Sequence, residues 1–80
     1  MGGKTEKFIS YIVDSMIKST TYENGEVKNV PFPHIKRSNN GVMWMDSQLR
    51  KWIKEKYGAR DAEIDTIVTN YHRINRDKYQ

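Results

Sequence analysis

The last 35 residues restrict the fold more than any other part of the chain, because they read as two amphipathic helices joined at a glycine corner. Across residues 46–57, Leu49, Trp52, Ile53 and Tyr57 recur at helical spacing and define an apolar face. Across residues 61–77, Ile64, Ile67, Val68, Tyr71 and Ile74 do the same. Gly58 falls where a helix C-terminus favours a left-handed residue, and Gly58-Ala59-Arg60 is then a tight turn. Asp46 or Ser47 is expected to cap the first of these helices and Asp61 the second, since a short polar side chain can accept from an open backbone N–H.

A third stripe lies near the N-terminus. Phe8, Ile9, Ile12, Val13, Met16 and Ile17 mark a helix over about residues 5–19, with Thr5 as its expected cap and residues 1–4 as a flexible start. Between the stripes, Asn24-Gly25 is the strongest short hairpin signal, because both residues tolerate positive φ. It places Tyr22 opposite Val27. Pro31-Phe32-Pro33 cannot be helical or lie inside a central strand, so it reads as an extended crossing with Phe32 as its anchor. Ser38-Asn39-Asn40-Gly41 is a second turn. A two- or three-stranded antiparallel sheet is expected between residues 20 and 45. The whole is a small single α+β domain over residues 5–80: N-terminal helix, short hairpin or sheet, and two helices in a helix-turn-helix-like arrangement.

Size sets a limit on stability. A domain of 80 residues buries only roughly 60–65% of its unfolded surface. The chain is polar, with 36% hydrophobic residues and a mean hydropathy of -0.88. Its two Trp, two Phe and five Tyr nonetheless argue for a packed core over disorder. Self-association would add buried surface, which makes a homodimer conceivable. With no cysteine, disulfides, thiolate metal sites and cysteine nucleophiles are excluded together. No stretch reaches the ~18 consecutive apolar residues of a membrane span. Met1-Gly2-Gly3-Lys4 is not followed by an unbroken apolar run, so no cleavable leader is expected. A cytoplasmic location is the expectation.

Function is less constrained. Fourteen basic residues against ten acidic ones give +4 and a pI near 9.4, which favours polyanionic partners. Arg50, Lys51, Lys54, Lys56 and Arg60 are concentrated on the second helix and its turn. Lys36 and Arg37 add a loop contact, and Arg73 and Arg76 a contact from the third helix. Together they form a candidate phosphate-binding set. The two C-terminal helices resemble a helix-turn-helix, which implies DNA binding. The same basic residues also suit an ordinary solvated helix face. Asp61, Glu63 and Asp65 stand where a recognition helix would meet phosphates, a departure from that motif.

Phe32, Met43, Trp44 and Met45 form a second candidate site, since aromatic and Met side chains are favoured at protein interfaces. His34 and His72 lack the spacing of a zinc site. No converging set of titratable groups suggests catalysis. The sequence therefore points to a non-enzymatic nucleic-acid-binding accessory protein without cofactor or metal. Its Lys-, Asn- and Ile-rich composition fits a phage or plasmid origin. The alternative is an inhibitor or adaptor docking on a larger protein.

Overall fold

The computed structural model describes the backbone of residues 2–24, 26–38 and 41–79 and the side chains of 6–21, 23–24, 26–37 and 41–75. Three helices and two β-hairpins follow in the order α1 (Gly2–Ser19), β1 (Thr21–Glu23), β2 (Glu26–Asn29), β3 (Lys36–Ser38), β4 (Gly41–Met43), α2 (Asp46–Tyr57) and α3 (Asp61–Tyr79). This is the α+β arrangement that the three apolar stripes predict.

The stripes meet in one core. Ile9, Ile12, Val13 and Met16 of α1 pack with Ile64, Ile67, Val68 and Tyr71 of α3 and with Leu49 and Ile53 of α2. Phe8, Ile17, Trp52, Tyr57 and Ile74 lie at the margins, half-buried against it. The end of α1 is fastened inside. The Thr20 hydroxyl lies 2.9 Å from the Met16 carbonyl oxygen, to which it donates. Its single proton is thereby used, so the Tyr71 hydroxyl donates to Thr20 across 3.1 Å.

Helix α1 begins at Gly2, so Thr5 lies within the helix and does not cap it. Once the apolar stripe has docked, extending a helix by a turn costs little. The other two caps also differ from expectation. Met45 precedes α2 in extended conformation with no side-chain cap bond. Asp46 is the first helical residue, and its carboxylate accepts from Trp44 Nε1 at 3.1 Å. Arg60 precedes α3, and its backbone N–H donates to Glu63 Oε1 at 2.9 Å. That is half of a capping box, which leaves Asp61 inside the helix as its first residue.

The connections follow the turn chemistry. Asn24 has φ 54°, and β1 and β2 pair Tyr22 with Val27 and Glu23 with Glu26. Gly25, Asn39 and Asn40 lie outside the described residues. β3 and β4 pair Lys36 with Met43 and Arg37 with Val42. The strands form two separate two-stranded sheets, not the single sheet expected. Pro31 and Pro33 have no N–H to donate, so the ladder cannot run on from β2 into β3. The Arg37 guanidinium bridges the gap by donating to the Lys28 carbonyl oxygen.

Gly58 closes α2 with φ 67° and ψ 27°, its N–H donating to the Lys54 carbonyl. A Cβ here would meet nothing within 4 Å. Gly58→Ala should therefore incur backbone strain alone, about 1 kcal/mol. Urea denaturation checks this as a lower midpoint with an unchanged slope.

Candidate functional site

Successive residues of a helix are separated by about 100°, which gathers Arg50, Lys51 and Lys54 on one side of α2, where they line one hollow, and leaves Lys56 apart from them. Arg50 and Lys54 lie on the flank toward α3. Arg50 is ion-paired and hydrogen-bonded to Asp65, and Lys54 Nζ is 3.7 Å from Asp61 Oδ1. The hydrogen bond to Asp65 raises the Arg50 pKa above its ordinary value, with smaller contributions from the charges of Asp65, Asp46 and Asp61. On the opposite flank, Lys56 Nζ lies 5.0 Å from the Trp52 ring centroid and 5.9 Å from that of Tyr57. Lys51 and Arg60 are exposed. From Asp46 to Asp65 five basic residues stand against five acidic ones, so this segment has no net charge.

The remaining candidates lie elsewhere. Lys36 and Arg37 are exposed on β3. Arg73 is exposed on α3, with Nη2 3.4 Å from Asn70 Oδ1. It borders a groove of about 800 Å³ between α1 and α3, alongside Glu6 and Asp14. The Arg76 side chain lies outside the described residues. The nine basic residues are thus distributed over β3, α2, the turn after it and α3.

Charge segregates more clearly along the chain. Val27 to Met45 contains no Asp or Glu, while Lys28, Lys36 and Arg37 all belong to it. The two hairpins meet along this stretch, and its cations come with exposed apolar side chains. Ile35 is 62% exposed, Met43 60% and Met45 51%. They are placed close together by the backbone: the Ile35 N–H donates to the Met43 carbonyl oxygen at 2.7 Å, and the chain stays extended through Met45. Met43 and Met45 are where the sequence places a protein contact. Ile35 was hidden in the sequence by its basic neighbours, since His34-Ile35-Lys36-Arg37 reads first as a cationic run.

Phe32 does not belong to the exposed surface. It is only 2% exposed and packs edge-on against Trp44 and Tyr71 at centroid distances of 5.8 and 5.4 Å. The chain bends at Pro31 and Phe32 where an extended crossing was expected, and the Phe32 ring turns inward as a core residue. Trp44 is half-buried and closes the same aromatic cluster, 5.6 Å from both Tyr71 and His72. It is a wall between core and surface and not the freely exposed contact that its Met neighbours suggest.

Beside Trp44 the surface opens into a groove of about 480 Å³ between β4, α2 and α3. Val42, Val68 and Trp44 give it an apolar lining, and Asp46, Arg50, Thr69 and His72 give it polar groups. Arg50 also borders an adjoining hollow of about 420 Å³ shared with Lys51, Lys54 and Asp61. His34 is directed elsewhere, its Nδ1 donating to the Phe32 carbonyl oxygen at 2.9 Å. Among the described residues, no three His, Cys, Asp or Glu side chains gather where they could hold a metal ion, and no helix is long and apolar enough to cross a membrane. No protein-family model, no curated protein and no solved structure matches the chain.

Proposed function

We propose that the chain is a non-enzymatic docking module that binds a larger protein through the apolar cluster of Ile35, Met43 and Met45 around Trp44. The observation that carries this is the coincidence of these exposed side chains on one hairpin of a polar chain. Single exposed apolar residues are ordinary, but adjacent ones mark contact surfaces. Met adapts its shape to a partner, and a half-buried Trp supplies a rigid edge. Lys36 pairs with Met43 across the hairpin, in a stretch from Val27 to Met45 without an acidic residue, and a cation beside the cluster speeds encounter with an acidic face.

The nucleic-acid role draws on the net charge of +4 and on Lys36 and Arg37. The carboxylates beside Arg50 and Lys54 weaken it, because a phosphate there would have to compete with them.

A photo-reactive residue at position 45 tests the docking role in cells. The expected result is a discrete protein adduct that survives nuclease, vanishes with Ile35→Glu/Met43→Glu and is absent when the probe is moved to position 51. A different outcome would replace the docking role with nucleic-acid binding: a labelled DNA or RNA oligomer bound at low salt, unaffected by Met43→Glu. Its affinity would fall with salt at a slope of roughly 0.9 per phosphate contacted.

A further inference from the structure

We propose that the groove between α1 and α3 is the face on which two copies of this chain pair, their α1 helices antiparallel about a two-fold axis. Lys7 of one copy then meets Asp14 of the other. In a two-fold pair every contact of i with j is repeated as j with i, so this contact forms twice. Lys7 and Asp14 both line the groove and are exposed. They stand two helical turns apart on α1, which separates them by only about 20° around its axis. At about 10 Å along one helix they do not reach each other. A second α1, running the opposite way and centred between Ser10 and Tyr11, sets residue 7 opposite residue 14. The pairing does not depend on the docking role, since none of the residues lining this groove belongs to the hairpin.

Charge selects a second copy as the occupant. Glu6, Lys7, Asp14 and Arg73 give the groove acids and bases in equal number, so the surface can meet itself without net repulsion. The stretch from Val27 to Met45 cannot: two copies meeting there would set Lys28, Lys36 and Arg37 against themselves with no acid to offset them. The groove's charges are also open. Among the described residues, Glu6, Lys7 and Arg73 form no ion pair. Asp14 holds Lys18 through Oδ2 at 3.0 Å, with side chains 61% and 76% exposed. An ionised carboxylate has about four acceptor sites, so Asp14 can take a lysine from the second copy without releasing Lys18. Apolar contact comes from Tyr11, 63% exposed, and from Ile17 and Ile74, both half-buried in the lining. Ser10, at the centre of the proposed contact, is small enough for the two helices to approach closely. A domain of this length leaves much of its surface unburied on its own, and pairing here covers part of it.

Sedimentation equilibrium of the full chain tests this. The mass should rise with concentration from 9.5 kDa toward twice that value, and added salt should weaken the association. Lys7→Glu and Asp14→Lys should each weaken pairing roughly tenfold, because symmetry turns one substitution into two repulsive contacts. The charge-exchanged double variant Lys7→Glu/Asp14→Lys should pair again. An equimolar mixture of the two single variants should form a heterodimer more tightly than either pairs with itself. Neither recovery can come from loss of structure. In the ¹⁵N-labelled chain, the amides of Lys7, Ser10, Tyr11, Asp14 and Arg73 should shift with concentration. Ile35→Glu/Met43→Glu should leave the association unchanged. A chain that stays monomeric up to about 1 mM, where even weak pairing shows, overturns the proposal. Association lost with Ile35→Glu/Met43→Glu and kept with Lys7→Glu overturns it too, because the hairpin would then be the contact. A double variant that pairs no better than the single ones overturns the antiparallel register on which the assignment stands.

Discussion

Phe32→Ala is expected to remove a large share of the domain's stability. The ring is 2% exposed and lies within 5.9 Å, centroid to centroid, of Trp44, Trp52 and Tyr71. Truncating a buried Phe costs about 3–5 kcal/mol, from lost transfer energy and from the cavity left behind. A domain of this length has in total only about 4–12 kcal/mol to lose. The melting temperature should fall by on the order of 20 °C. The effect should be specific to burial: Met43→Ala, at a position 60% exposed, should change stability by less than about 0.5 kcal/mol. Thermal unfolding followed by circular dichroism compares the two directly. Equal, small shifts would mean that Phe32 is not in the core, and the inward closure of the aromatic cluster would fall with it. Trp44 should respond too, since Phe32 is one of the rings that hold it at the edge of the groove.

Phe32 also shows where sequence reasoning succeeds and where it stops. Periodicity identified the faces of all three helices because a stripe such as Ile64, Ile67, Val68 and Tyr71 can be buried in only one way. The turns at Asn24 and Gly58 were legible because positive φ restricts the residues a turn can use. The prolines made the break between the two hairpins equally legible, but not the bend at Phe32 or the direction of its ring, which depends on whether Trp44, Trp52 and Tyr71 come together. The basic residues present the same difficulty. Nothing local indicates that Asp65, fifteen positions away, will meet Arg50; that follows from how α2 docks on α3. Helix caps were misplaced for a subtler reason. Several polar residues near each start could serve, and the choice falls to tertiary competitors, as when Trp44 claims the Asp46 carboxylate. The helical scaffold was therefore readable from the chain, while the surface it presents was not.

Gly41→Ala should be the second most damaging change, and its cost can be divided. Gly41 has φ +117°, a conformation that an L side chain rarely adopts. A Cβ built there would lie 3.0 Å from Asn75 Nδ2 and 3.2 Å from Oδ1. Asn75 has little room to retreat: it is 6% exposed on α3, and Nδ2 donates to the Val42 carbonyl oxygen across 3.4 Å. Backbone strain of about 1–3 kcal/mol and overpacking of about 1–2 kcal/mol should add to roughly 2–5 kcal/mol. Asn75→Ala on its own should cost little, because the bond is long and Oδ1 has no partner among the described residues. In the double variant only the overpacking should be recovered, a coupling of about 1–2 kcal/mol in a double-mutant cycle. Complete recovery would show that the backbone at Gly41 is unstrained, and no recovery would show that it does not touch Asn75. The contact also bears on binding, because it seats the β3–β4 hairpin on α3 and so positions Met43 and Trp44 at the mouth of the groove. Gly41→Ala should therefore broaden the amide signals of Val42 and Met43 while leaving those of α1 sharp, which separates a displaced hairpin from general unfolding.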